Sequence, residues 1–512
     1  DVRAAAAVAL AKMAALSEDA REIIVEEGGG ELFLQLLQAE KISVKRKAAQ
    51  GLGILLLSQR NCEGIRDLLL SDVSLKTLQE AAGCSDAMVS YGLSLCLRNA
   101  TMRQVVEQDE EAEMMQRLKM MAEPDEKGKA RRGEELELEM EKIKKQRAEV
   151  EEQTAAFRER FIRARGTRVI AELARKESLG IHHLLSHVLL ALSLNPNTRG
   201  ILVQDGAMKT LCALGKNMTE EDTAVYRKNS LFEQDGGKSE KISAEEVRLR
   251  AAHAMAKIAS STNPSLFSDS LIHDLIPFLL LLLRSDSELA QFEAALALTN
   301  VATLGEEVKD AILRKRGWND LESLVASDNP KVRMAGTGGL CNLVTSERIL
   351  KEIFEKTDKG KRHVRLFLVL SQSEDSETVQ YAVSALANLS AYRPALELIA
   401  EGEGNGLSKL VELLKNGEEK IMHPAAHTLL SVIQEDTNGK WTQTCLQLGM
   451  LPPLLLLRQT LSPSKPCYEV AVELLELLAK THGTPRTTAE AIERGGHDVS
   501  SHGEGEDEDE EE

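Results

Sequence analysis

His183 and His187 stand four residues apart in "IHHLLSHVLL", a spacing at which two imidazoles on one helix face can share a metal ion. No acidic third ligand sits at a recognisable spacing and the helix has a packed apolar face, so a structural role is expected for both. Gly237, Lys238 and Ser239 resemble the end of a phosphate loop, but that loop needs a preceding strand and a glycine where Phe232 stands. The glycines of "EGEGNG", residues 401–406, are wrongly spaced for a dinucleotide fingerprint. Cysteines 62, 84, 96, 212, 341, 445 and 467 form no CxxC pair and read as reduced core residues. GxSxG, HExxH and paired-carboxylate constellations are absent from the sequence. No catalytic residue, metal ligand or cofactor is therefore expected, and the chain does not read as an enzyme.

The polar groups that do recur are amides. Asn300 lies near the end of "QFEAALALTNVAT", Asn342 in "GLCNLVTS" and Asn388 in "ALANLSAY". An unpaired amide in an apolar helix contact costs roughly 1–3 kcal/mol and asparagine is a mediocre helix former, so a repeated asparagine implies a repeated partner. Aligning helix endings by their alternation of small and apolar residues makes Lys12, Ile54, Asn99, Lys257, Asn300, Asn342, Asn388 and Ser431 equivalent, about 42 to 46 residues apart where repeats adjoin. That period belongs to armadillo and HEAT arrays, in which two or three helices stack on their neighbours. Glycines open apolar helices at Gly206, Gly317, Gly406 and Gly449, where each is expected to permit the sharp turn, and "ASDNPKVRMA" begins a further repeat at Asn329 and Pro330.

The fold expected is all-α: a right-handed armadillo-type α-solenoid superhelix with one long charged helical insertion. A chain of 512 residues with 3% aromatics suits an array better than one large core. The divisions expected are N-terminal repeats at 1–102, a charged insertion at 103–165, a repeat domain at 166–485 with a flexible loop at about 217–243, and an acidic disordered tail at 486–512. Within the insertion, residues from Glu134 onward read as a long, mostly solvated helix with a thin apolar line through Met140, Ile143, Val150, Phe157 and Phe161, which leans on the solenoid or forms a coiled-coil contact. The opening "DVRAAAAVAL" lacks methionine and is already helical in pattern, so a preceding part of the protein is expected.

A net charge of −18 argues against a general nucleic-acid binder. The longest apolar run, "LIPFLLLLL", is nine residues, far short of the ~20 of a membrane helix, so neither a membrane nor a nucleic acid is expected as partner and the location expected is cytoplasmic. In armadillo repeats the third helix lines a concave groove. The asparagine amides there bond either an extended segment in the groove or only the neighbouring loops, and both alternatives keep the position polar.

The run "AAHAMAKIASSTNPSLFSDSLIHDLIPFLLLLL", then "QFEAALALTNVATLGEEVKDAILRKRGWNDLESLV", then "KVRMAGTGGLCNLVTSERILKEIFE" resembles the UCS domain of the myosin chaperone family. The likeness runs from about 166 to 390 and weakens towards 485, while residues 1–100 resemble the family's central armadillo region. The insertion at 103–165 and "KGKRHVRL" in place of a family-like "GNDR" depart from the pattern. The resemblance implies a chaperone that holds the myosin motor domain without a covalent step and co-operates with the ninety-kilodalton heat-shock chaperone, which many members bind through a tetratricopeptide module not found in this sequence. The groove residues implied are Asn300, Asn342 and Asn388 as amides reading a client backbone, Lys257, Glu293 and Arg333 as flanking charge, and Phe292 as an apolar spot. Phe292 reads equally as core and Arg333 equally as a structural ion-pair residue. A nuclear-transport adaptor would place a tryptophan four residues before each asparagine; Leu296, Gly338 and Ser384 stand there instead. A passive scaffold is the other alternative.

Overall fold

The computed structural model describes residues 2–57, 62–102, 129–216, 223–227, 239–355, 359–402 and 404–481. These residues build an all-α armadillo-type array, interrupted among the described residues by one two-stranded hairpin. They fall into two compact units, Asp1–Val301 and Ala302–Glu512, a division inside the stretch 166–485 that the sequence pattern presents as one domain. The acidic tail and residues 103–128 lie outside the described residues.

The second unit shows the repeat most plainly. Glu306–Arg314, Gly317–Val325 and Pro330–Leu343 form one three-helix repeat, followed by Glu347–Glu355, Lys359–Leu370 and Ser376–Ser390. Two more end in Glu419–Gln434 and Pro466–Thr481, and each third helix packs on the next. Local chemistry sets the boundaries. The Asn329 side chain accepts from the Lys331 N–H at 3.0 Å with Pro330 at the first helical position, and Asp375 accepts from the Thr378 N–H at 2.9 Å.

The glycine turns work in two ways. Gly206 and Gly449 take φ of +80° and +79°, as the sequence leads one to expect. At the other two turns the residue before the glycine is left-handed, Arg316 at φ 66° and Asn405 at φ 51°. Gly406 is needed for a different reason, since a Cβ there would lie 2.2 Å from the Ile399 carbonyl oxygen. Small residues also let a third helix approach the second helix of its repeat closely: a Cβ at Gly339 would meet the Leu321 side chain at 2.8 Å. This close packing suits a chain with few aromatics.

In the first unit the third helices Ile42–Leu55, Ala87–Thr101, Leu179–Leu192, Ala244–Ser261 and Glu288–Val301 stack in chain order. Leu179–Leu192 is a member that the alignment of helix endings passes over. In the long helix, Lys129–Arg163, the described side chains from 141 to 149 are exposed, as its charge suggests, and the last turns are packed. Phe157 and Phe161 are buried with ring centroids 5.6 Å apart, and Val150 is half-buried; the side chains of Met140 and Ile143 lie outside the described residues. The Arg158 guanidinium caps the Thr101 carbonyl at 3.2 Å, so the last turns join the stack. Where the sequence reads as a flexible loop, Thr223–Arg227 and Ser239–Ser243 pair as antiparallel strands, with Ala224 opposite Ile242. Gly237 and Lys238 lie outside the described residues.

Candidate functional site

On the third helices Ala87–Thr101, Glu288–Val301 and Ser376–Ser390 an asparagine amide reaches back to the end of the third helix before it. Asn99 donates to the Gly53 carbonyl at 2.8 Å, Asn300 to those of Ala259 and Thr262 at 2.7 and 2.8 Å, and Asn388 to that of Cys341 at 3.4 Å. The last carbonyls of a helix have no intrahelical partner, and the asparagine of one repeat supplies a donor to the repeat before. Both amide protons of Asn300 are thus engaged within the chain, and donation to a bound segment would require one of these bonds to exchange. Asn342 is half-buried on Pro330–Leu343, its own carbonyl accepting from the Thr345 hydroxyl at 2.7 Å.

Lys257 and Glu293 form a pair between neighbouring third helices, Nζ to Oε1 at 2.5 Å, with side chains 12% and 14% exposed. His253, one turn before Lys257, contacts the other carboxylate oxygen at 2.7 Å. Burial by itself raises the Glu293 carboxyl, but hydrogen bonds from His253 and Lys257 and the lysine's charge outweigh it and hold the group below the usual carboxylate range. The sequence reading missed His253; its place four residues before Lys257, on the same helix face, was the available signal. Phe292, next to Glu293, is half-buried.

Arg333 makes no ion pair among the contacts described. Its guanidinium donates to the Ser327 carbonyl at 2.9 Å, six residues back, as Gln291 in the first unit donates to Ser285 at 2.7 Å. Both side chains close the loop that leads into a third helix. In the first unit, His183 and His187 pack with ring centroids 4.8 Å apart, and Arg250 lies 3.4 Å from His183 Nδ1 while donating to the Ser186 hydroxyl at 3.2 Å. Burial, and after it the charge of Arg250, push His183 down to about 3 and His187 to about 2, so both are neutral near pH 7. Among the described residues no three histidine, cysteine or acidic groups converge as metal ligands, and no helix is long and apolar enough to cross a membrane. The arrangement offers half-buried apolar area and fixed charge on the third-helix faces, which suits non-covalent binding.

No family model matches the chain. Protein unc-45 homolog B from Danio rerio is 26% identical over 256 residues, 49% of this chain and 24% of that protein. Among solved structures, UNC-45 from Drosophila melanogaster aligns with a TM-score of 0.63 at 23% identity, covering 96% of this chain and 56% of that one. The myosin chaperone UNC-45 from C. elegans, solved in complex with a Hsp90 peptide, aligns with a TM-score of 0.64 at 15% identity, covering 89% and 44%. These structural likenesses establish the fold. Over about half of its length the chain is homologous to the unc-45 homolog B proteins, the UCS-type relatives that its residues resemble, and it spans about a quarter of their length.

Proposed function

We propose that this chain is a holding module of a cytoplasmic myosin chaperone, binding the myosin motor domain along the third-helix faces of its repeats and co-operating with the ninety-kilodalton heat-shock chaperone. The observation that carries the reading is the 26% identity over 256 residues to an unc-45 homolog B protein. The third-helix faces support it. In the first unit Phe292 supplies apolar area beside the fixed charge of Lys257 and Glu293. In the second, half-buried Tyr381, Ser384, Asn388 and Asn342 share the faces of consecutive third helices, with Arg333 at the start of one. Shape and charge select the client, and no bond is made or broken.

The test is sedimentation velocity of the chain mixed with a purified myosin motor domain, with heat-labile citrate synthase as the unrelated client. A faster-sedimenting species with the motor domain alone is the expected result; none with the motor domain, or one with both clients, contradicts the proposal.

A further inference from the structure

Two charged stretches take no part in the third-helix faces: the basic "KGKRHVRL", residues 359–366, and the acidic "EGEDEDEEE", residues 504–512. On the helix Lys359–Leu370 the side chains of Lys361, Arg362 and Arg365 are exposed. His363 among them is buried and packs edge-on against the buried Trp318, with ring centroids 4.8 Å apart. Trp318 follows Arg316 by two residues, so this contact brings the turn of Arg314, Lys315 and Arg316, all exposed, beside the start of the basic helix. Arg362 pairs with Glu322 at 2.9 Å across the two helices. The helix Gly317–Val325 carries two acids, Asp320 and Glu322, so the surface keeps an excess of cations.

The fold accounts for only part of this charge. Arg314 closes the helix Glu306–Arg314, where a cation complements the helix dipole. Lys361 and Arg362 stand in the first turn of Lys359–Leu370, where the dipole opposes a cation, and that turn holds no acid. Lys361 and Arg365 are four residues apart, a like-charged spacing that weakens a helix. Charge placed against its own helix in this way suits an anionic partner. The sequence supplies one in 504–512, where every residue but Gly505 is acidic. Residues 482–503 join that run to the helix Pro466–Thr481, a length that spans at most about 70 Å. The helices Lys359–Leu370, Ser376–Ser390, Glu419–Gln434 and Pro466–Thr481 pack in succession, and these steps of about 8–10 Å place the basic helix roughly 30 Å away at most, within reach.

We propose that this basic surface of the second unit is a docking site for an acidic peptide segment, and that its occupant is the chain's own residues 504–512. The proposal does not depend on the chaperone reading. In the test, the full chain is compared with a chain ending at Gly503, and a fluorescein-labelled peptide of residues 503–512 is titrated by anisotropy at low and at high salt. The shortened chain is expected to bind the peptide about tenfold more tightly than the full chain, whose tethered run competes, and high salt should weaken the binding. Lys315→Glu with Lys361→Glu should remove binding to the shortened chain, while Lys76→Glu with Arg168→Glu in the first unit leaves it unchanged and circular dichroism stays helical in both. In the full chain a zero-length carbodiimide should join carboxylates of 504–512 to Lys315 or Lys361. Absence of peptide binding by the shortened chain, or binding weakened equally by both pairs of substitutions, overturns the site. Equal binding by the full and shortened chains, with no such cross-link, overturns the tail as its occupant and assigns the surface to an acidic segment of another protein.

Discussion

The Lys257 ammonium meets the Glu293 carboxylate at 2.5 Å across two adjacent third helices, and His253 closes on the same carboxylate from one turn away. Residues expected from sequence to flank a groove as separate charges are thus one half-buried unit. Glu293→Gln leaves Lys257 poorly solvated beside a neutral amide and should destabilise the first unit by about 2–3 kcal/mol, measured by urea unfolding with hydrogen exchange of 244–301 as the local probe. A change below about 0.5 kcal/mol would show that the pair is as weak as an exposed one.

The same carboxyl sets an acid limit. Its folded value lies below the usual range, so its contribution is complete above the unfolded value of about 4.3 and is lost as pH falls through the lower folded value. Between pH 5 and 3 the wild type should lose more stability than Glu293→Gln. Parallel losses would remove the carboxyl as the cause.

The buried histidines act over a different range. Their folded values lie far below the ordinary 6.5, so the unfolded chain binds protons first and stability falls as pH drops below about 6.5. His187→Leu should flatten the pH dependence of stability between 6.5 and 4. Proton NMR should show no titration of the His183 or His187 ring above pH 5.

Asn300 serves the preceding repeat. Asn300→Ala should cost about 1–3 kcal/mol, and Asn300→Asp more, because a carboxylate then faces the carbonyls of Ala259 and Thr262. A denaturation midpoint unchanged in Asn300→Ala would show that these carbonyls do not need the donors.

The repeat and its period were legible because small and apolar residues alternate at most third-helix endings, a pattern that packing itself imposes. Asn329 with Pro330 announced its helix start for the same local reason. The partners of the asparagines were not legible, since an amide reads alike whether its acceptor is a client or a carbonyl some 40 residues back. Phe157 and Phe161 were seen as a thin line, but their burial depends on helices far away in the chain. Phe161→Ala should accordingly cost about 3–5 kcal/mol. The hairpin was hidden because "SEKIS" holds one apolar residue, and only tertiary packing shows that Ile242 has a socket.

The most direct test of the central claim is light scattering from a purified myosin motor domain heated with and without an equimolar amount of this chain, with citrate synthase heated in parallel. The account predicts suppressed scattering for the motor domain, little for citrate synthase, and loss of protection in Phe292→Asp with the helical spectrum unchanged. Equal protection of both clients, or protection unaltered by Phe292→Asp, would contradict a selective holding face on the third helices.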